Sequence, residues 1–205
     1  MNNILMRSIL VLVVGCCLSG TAWAIGGVNT SFFMKGLYHP MMIPAHLIAL
    51  FSLGLLLGQQ GWQTQRVVIP AFALVIASAL IMTRYQVAPW NAELVLLPVA
   101  AITGVLVILK LNLTAWICLI IAVIAAAVIG MDSTVPRIPG LQPAKIYAHL
   151  TGSGLFATGL LVIISGIALA LRNLLDGVIL RILGAWSTAG AVLVVTLLMV
   201  ADITP

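Results

Sequence analysis

The sequence has very few charged residues. Its 205 residues include only nine lysines and arginines and only four aspartates and glutamates, so the formal net charge is +5. Charged residues make up 6% of the chain, whereas a typical soluble domain has about 25%. Such a chain cannot cover a water-facing surface with polar groups, which excludes a soluble globular enzyme. The basic residues are scattered and form no stripe, so nucleic acid is not an expected partner.

Cysteine is also scarce, and the three cysteines do not report a redox compartment. Cys16 and Cys17 lie near the N-terminus, which leaves Cys118 alone in an apolar run. One thiol cannot form an intramolecular disulfide, and a lone cysteine in such a run is most often a small packing residue. The sequence also lacks the glycine-rich loop that binds nucleotide phosphates, so we expect no nucleotide-driven step.

Apolar residues are abundant, at 63% of the chain, and the N-terminus resembles a secretory signal peptide. It has a basic residue, Arg7, then the apolar stretch 8–20, then Ala22-Trp23-Ala24. We therefore predict that residues 1–24 are a signal peptide cleaved after Ala24, and that residues 25–205 form the transmembrane domain. The alternatives are an uncleaved first helix and a lipoprotein signal ending at Cys16.

After residue 24 the apolar residues fall into six blocks, each close to the roughly 20 residues that a helix needs to cross a bilayer. The blocks run about 38–58, 67–83, 92–109, 113–130, 146–171 and 179–201. Lipid offers no hydrogen-bond partners to the backbone, so each block should be helical. We predict an all-α, polytopic membrane helix bundle with six transmembrane helices after the signal peptide. Small residues crowd the fifth and sixth blocks, and we expect these helices to pack closely and to form the core.

The signal peptide alone orients the bundle, because the basic residues in the breaks divide four against four between the two faces. A cleaved signal places the new N-terminus on the outer side of the membrane. Six ionisable residues at helix ends then lie toward that outer face. They are His39, Arg84, Glu93, Asp132, His149 and Asp202.

The histidines and acids of this set predict a cation site, because ionisable groups in or near a span usually face a cavity or a partner. Imidazole suits nickel, cobalt, zinc and copper, and carboxylates add charge. The candidate ligands are His39, His46, His149, Glu93 and Asp132. The alternative is that these side chains lie wet at the membrane interface. This is the interpretation that we favour for Asp202 and, because it stands near a helix start, for His149.

His39 and His46 form the sharpest pair, although a straight helix would keep them apart. Seven residues place them on one helix face, with roughly 10 Å between them along the axis. Metal–nitrogen bonds are about 2 Å long, so one ion can reach both rings only if the helix is broken. Pro40 and Pro44 both lie between the two histidines, and each lacks the backbone N–H of other residues. Pro40 frees the carbonyl of Gly36, and such carbonyls are tolerated where they line a cavity or bind an ion.

Residues 36–50 resemble the first-helix signature of the HupE/UreJ family, small bacterial membrane proteins associated with nickel or cobalt uptake for hydrogenase and urease. The family pattern is His-Pro, a short spacer, and then Asp-His. Here His39-Pro40 and His46 match, while Ala45 replaces the aspartate. Glu93 stands where the third helix of the family begins with a glutamate, and residues 147–161 resemble its fifth helix, rich in glycine, alanine and threonine.

The second family signature, His-Gly-x-Ala-His-Gly-x-Glu, falls on residues 125–132 and is only partly kept. Ala125 and Ile129 replace the two histidines, and Asp132 stands in place of the glutamate. Three expected ligand side chains are thus absent, counting the aspartate of the first signature, and His149 is a candidate substitute. A site with fewer imidazoles should bind late first-row metals more weakly.

The resemblance implies a multi-pass protein of the bacterial inner membrane that takes up nickel or cobalt as a permease and is not an enzyme. The signal peptide predicts that its N-terminus is periplasmic. The ion would be cargo, with no permanently bound cofactor. The other expected partners are the lipid bilayer and a second copy or membrane protein bound through the small-residue helix faces. The altered motifs keep an alternative open, a non-transporting membrane subunit or assembly factor. A third alternative is an intramembrane hydrolase using Ser153 near His149, although packing explains Gly152-Ser153-Gly154 better.

Overall fold

The computed structural model describes residues 32–83, 91–133, 142–173 and 177–203, with side chains as far as residue 200. Within these ranges the chain is helical and has no strand. Its helices are α1 (Phe32–Met42), α2 (Pro44–Gln60), α3 (Trp62–Met82), α4 (Glu93–Ile108), α5 (Ala115–Asp132), α6 (Pro143–Leu171) and α7 (Val178–Ile203). The predicted signal peptide of residues 1–24 lies outside the described residues, as do Arg84 and the side chain of Asp202.

Each predicted apolar block coincides with a helix, or for the first block with a pair of helices. Four helices, α3, α5, α6 and α7, are long and apolar enough to cross a bilayer. The pair α1 and α2 passes the same test jointly and would be a fifth span, although it is bent by 76°. Helix α4 is apolar but has only 16 residues, below the usual length of a span. The protein is therefore an all-α membrane protein with four to five candidate spans.

The first block is not the single helix that the sequence predicts. Helix α1 begins at Phe32, and the helical conformation is interrupted at Ile43, whose backbone is extended (φ −104°, ψ 105°). Pro44 is the first residue of α2. The first N–H groups of a helix have no partner within it, so the N–H that proline lacks is not missed there. The break therefore follows from the position of Pro44.

Helix α2 forms the centre of the bundle. Eleven of its 17 residues are buried, and it contacts each of the other six described helices. The expectation that α6 and α7 form the core is wrong, because only 22% and 17% of their spanning residues are buried. Their small residues admit neighbouring helices on one side, while large apolar side chains such as Leu155 and Trp186 remain exposed on the other.

Close helix packing through small residues, in contrast, is confirmed for part of the set: Gly152 and Gly184 closely approach α1 and α4, while nothing lies within 4 Å of a Cβ at Gly159 or Gly190. A Cβ added to Gly58 of α2 would overlap the side chain of Ala168 and crowd the backbone of α6. A Cβ added to Gly104 of α4 would overlap the hydroxyl of Thr188 on α7. Small residues let helix backbones approach in lipid, where packing rather than water exclusion favours association. The glycines of α2 and α4 matter as much here as the small residues of α6 and α7.

Polar side chains cap the C-terminal end of α4. Gln59 donates from Nε2 to the carbonyl of Val107 at 3.1 Å, and Arg181 donates from Nε to the carbonyl of Ile108 at 2.9 Å. The last carbonyls of a helix have no partner within it, and lipid supplies none. These two side chains therefore help a 16-residue helix to end within the bundle.

A substitution at Gly58 tests the packing of α2 on α6. We expect Gly58→Ala to destabilise the purified protein by about 1–3 kcal/mol, because the new methyl group overlaps α6. Gly166→Ala is the matched control, since nothing lies within 4 Å of a Cβ at that position of α6. Thermal unfolding in detergent should show a lower Tm for the first variant only. Equal melting temperatures would contradict the close approach.

Candidate metal centre

Helix α1 is held against α6 by a contact that depends on proline and glycine. Pro40 lies inside α1 and has no N–H to donate to the carbonyl of Gly36. That carbonyl instead accepts a hydrogen bond from Ser153 Oγ of α6, at 2.9 Å. Gly36 has no side chain, and a Cβ there would overlap the backbone carbonyl of His149. The freed carbonyl therefore serves helix docking.

The break at Ile43 brings the histidines of the first block together. The ring centroids of His39 and His46 are 6.4 Å apart, compared with the roughly 10 Å expected along a straight helix. His149 of α6 joins them, with its ring centroid 5.6 Å from that of His39 and the two ring planes nearly perpendicular. We call His39, His46 and His149 the imidazole cluster. Three different helices contribute to it.

Two rings of the imidazole cluster are buried and that of His39 is partly buried, and several of their nitrogens have no hydrogen-bond partner among the described residues. His46 is fully buried and His149 is 4% exposed, so neither is a wet interfacial side chain. Among the described residues, no group hydrogen bonds to Nδ1 of any of the three rings. A buried polar atom without a partner costs about 1–3 kcal/mol, and native structures contain few. Several in one cluster indicate a place where a ligand would supply the missing contacts.

Asp132, the last residue of α5, lies beside the imidazole cluster. Its Oδ2 is 3.0 Å from Nε2 of His46, and its side chain is 24% exposed. The distance would suit a hydrogen bond, but the two groups are not aligned for one, and Nε2 has no hydrogen-bond partner. Two ligand atoms bound to one ion at about 2.1 Å and at right angles are also about 3.0 Å apart. The pair thus has the spacing of neighbouring ligands on a six-coordinate ion.

The side chains are not closed around a common point. In the described part of the chain, no group of three or more His, Cys, Asp or Glu side chains is placed so that it could hold one metal ion. Two imidazoles bound to one tetrahedral ion have ring centres about 5 Å apart, somewhat less than the 5.6 and 6.4 Å observed. Side-chain rotations that commonly accompany ligand binding cover differences of this size.

No described ion pair or hydrogen bond joins the remaining predicted residues to the imidazole cluster. Glu93 is the first residue of α4, and within the described ranges no ion pair joins it to a histidine. The three positions where the family signatures have other ligands, Ala45, Ala125 and Ile129, are buried in one apolar cluster. Ser153, considered as a nucleophile, donates its hydroxyl proton to Gly36 and not to His149. Sequence reasoning missed this docking role, although the freed carbonyl of Gly36 was its signal.

Removal of the Ser153 hydroxyl tests the docking of α1. Hydrogen bonds between membrane helices contribute about 0.6 kcal/mol on average and up to about 2. We therefore expect Ser153→Ala to speed amide hydrogen exchange in Phe32–Met42 by about 3- to 30-fold, measured by mass spectrometry. Ser165→Ala is the control, because Ser165 is equally buried on α6 but bonds within its own helix, to Val162. Unchanged exchange in α1 of the Ser153 variant would exclude a docking role.

Comparison with protein-family models finds a match to the family described as HupE / UreJ protein, over residues 11–195. No curated protein and no solved structure matches the chain. The matched segment includes every described helix except the last turns of α7. It also contains the whole imidazole cluster and Asp132. The chain belongs to the HupE/UreJ family.

Proposed function

We propose that this protein is a permease-like protein for the uptake of a divalent transition metal, nickel or cobalt. The observation that carries the proposal is the imidazole cluster, in which two buried rings and one partly buried ring, from three helices, have buried nitrogens without partners. Neutral imidazole is the commonest metal ligand in proteins and suits late first-row metals. Family membership supports a role in nickel or cobalt metabolism.

In this proposal the imidazole cluster supplies nitrogen ligands, and Asp132 supplies an oxygen and a negative charge. His149 takes over from the imidazoles that are absent at Ala125 and Ile129, so the ligand set moves from α5 toward the contact of α1 and α6. Glu93 would act elsewhere on the route of the ion, as a source of negative charge at the start of α4. The remaining coordination positions would be filled by water.

The proposed topology has six spans after a cleaved signal peptide, a periplasmic N-terminus and a location in the bacterial inner membrane. It counts the bent pair α1 and α2 as one span and α4 as a short one. The packing of α4 between α2 and α7 supports this assignment, because a helix between two apolar helices is surrounded as a span would be. Under this topology the imidazole cluster lies toward the periplasm.

A non-transporting membrane subunit or assembly factor is the second candidate. It is favoured by the apolar residues at Ala45, Ala125 and Ile129, which pack in the core where the family has ligands. The open arrangement of the remaining side chains also favours it. Such a protein would keep the fold and bind metal weakly without moving it across the membrane.

Metal accumulation in cells separates the two candidates. We expect cells expressing the protein to accumulate more radioactive nickel or cobalt than empty cells. In the His39→Ala/His46→Ala variant this excess should fall about tenfold or more, because two ligands are gone. Met42→Leu is the control, since it removes an exposed thioether from the same segment. If the wild type accumulates no more than empty cells, the permease proposal is wrong. Purified protein that binds nickel without such uptake would favour the second candidate.

Restoring one histidine of the family signature tests the assignment of the site by adding a ligand instead of removing one. Ile129 precedes Asp132 by three residues on α5, so the two side chains share a helix face. We expect Ile129→His to lower Tm without metal, because a polar ring enters the core, and to recover stability with nickel. Ile124→His, at an exposed position of the same helix, should show no such nickel-dependent recovery. A nickel response that is equal in both variants would argue against a site at this face.

A further inference from the structure

Two lysines share one aromatic ring at the exposed ends of α1 and α6. The ammonium nitrogen of Lys35 is 5.2 Å from the ring centroid of Phe32, and that of Lys145 is 5.5 Å from it. The two charges are therefore at most about 11 Å apart, compared with a Debye length of about 8 Å in a physiological solution. No carboxylate of the described ranges forms an ion pair with either lysine. Within the described part of the chain, two positive charges without an ion-paired carboxylate thus lie near one another.

Each lysine also stands one helical turn from a member of the imidazole cluster. Lys35 precedes His39 by four residues on α1, and Lys145 precedes His149 by four residues on α6. Residues four apart lie on one face of a helix, about 6 Å apart along its axis. His39 and His149 themselves have ring centroids 5.6 Å apart. A layer of two exposed ammonium groups therefore adjoins a layer of two largely buried imidazoles.

This arrangement is unsuited to the capture of a bare divalent cation. A cation approaching past the lysines meets two like charges, and Asp132 is the one carboxylate that the described residues place at the imidazole cluster. Lysine ammonium groups are, however, good partners for carboxylates, with which they make charge-assisted hydrogen bonds. A metal ion already held by a small di- or tricarboxylate carries little positive charge or a negative one. Such a complex would be attracted where the bare ion is repelled.

We propose that Lys35 and Lys145 form a carboxylate-binding subsite, and that the metal reaches the imidazole cluster as an anionic chelate. The inference rests on the proposed function, because it assigns the form in which the same site receives its ion. The lysines hold a carboxylate of the chelator while imidazole nitrogens replace its oxygens on the metal. Metal–oxygen bonds break, metal–nitrogen bonds form with the lone pairs of neutral rings, and the chelator leaves as its free anion. No electron is transferred.

Citrate binding in the absence of metal tests the subsite directly. We expect the full chain in phosphatidylcholine nanodiscs to bind radioactive citrate in equilibrium dialysis, and Lys35→Gln/Lys145→Gln to weaken binding about tenfold or more. Lys35→Arg/Lys145→Arg keeps both charges and should retain binding within a few-fold. Arg66→Gln/Arg172→Gln removes two exposed charges far along the sequence from the subsite and should have no effect. Absent citrate binding, or binding indifferent to the lysine variants, would overturn the proposal.

The same subsite could hold the headgroup of an anionic lipid, and the choice of bilayer separates the two sources. Retention of phosphatidylglycerol that depends on Lys35 and Lys145, with no citrate binding in phosphatidylcholine discs, would assign the lysines to lipid and overturn the chelate proposal. Citrate binding that persists when phosphatidylglycerol is added supports it.

Uptake measurements complete the test. Wild-type cells should accumulate nickel faster from nickel citrate than from the aquo ion at equal free nickel, and the double glutamine variant should lose that preference. Uptake without any such preference in the wild type would overturn the chelate proposal alone. Nickel binding to the purified chain without citrate, compared with His39→Ala/His46→Ala, reports on the metal site separately. Citrate binding through the lysines combined with no nickel binding to the histidines would count against the proposed function and not against the anion subsite.

Discussion

The hydrogen bond from Ser153 to the carbonyl of Gly36 is the contact on which the geometry of the imidazole cluster depends. Helix α1 is connected along the chain to α2 by the single residue Ile43 and packs mainly on α6. Its position therefore follows from what it meets on α6, where the glycine backbone and the serine hydroxyl allow close approach. In lipid, a carbonyl freed by proline must find a partner within the protein. That requirement links a backbone defect in one helix to the placement of His39 beside His149.

The fold could be predicted from the sequence to the extent that lipid imposes helices. Apolar blocks and polar breaks locate the helices, because a helix satisfies its backbone hydrogen bonds within one segment where lipid offers no partners. The bend at Ile43 could be anticipated only as a condition for His39 and His46 to meet. The central position of α2 could not be predicted, because small residues indicate that helices approach closely without indicating which helix is surrounded. Glycines of α2, such as Gly58, carry the same information as those of α6.

The sequence predicts the residue types of the candidate site, and the structure brings only some of the predicted residues near one another. His39, His46 and His149 come together because the break, the docking of α1 and the start of α6 coincide. Asp132 joins them from the end of α5, while Glu93 does not, although both stand at helix ends on one predicted face. A helix end fixes depth in the membrane but not the lateral direction of a side chain. That direction depends on how the helices pack, which the spacing of apolar residues along the sequence does not reveal.

The shortness of α4 has a consequence for the membrane around the protein. Sixteen helical residues extend about 24 Å, whereas a bilayer has about 30 Å of hydrocarbon. As a span of the proposed topology, α4 would draw the lipid boundary inward, and Gln59 and Arg181 already supply polar groups at its end. The insulating layer would then be thinnest beside α4, next to the helix that carries His46. A charged particle would there have the smallest dielectric barrier to cross.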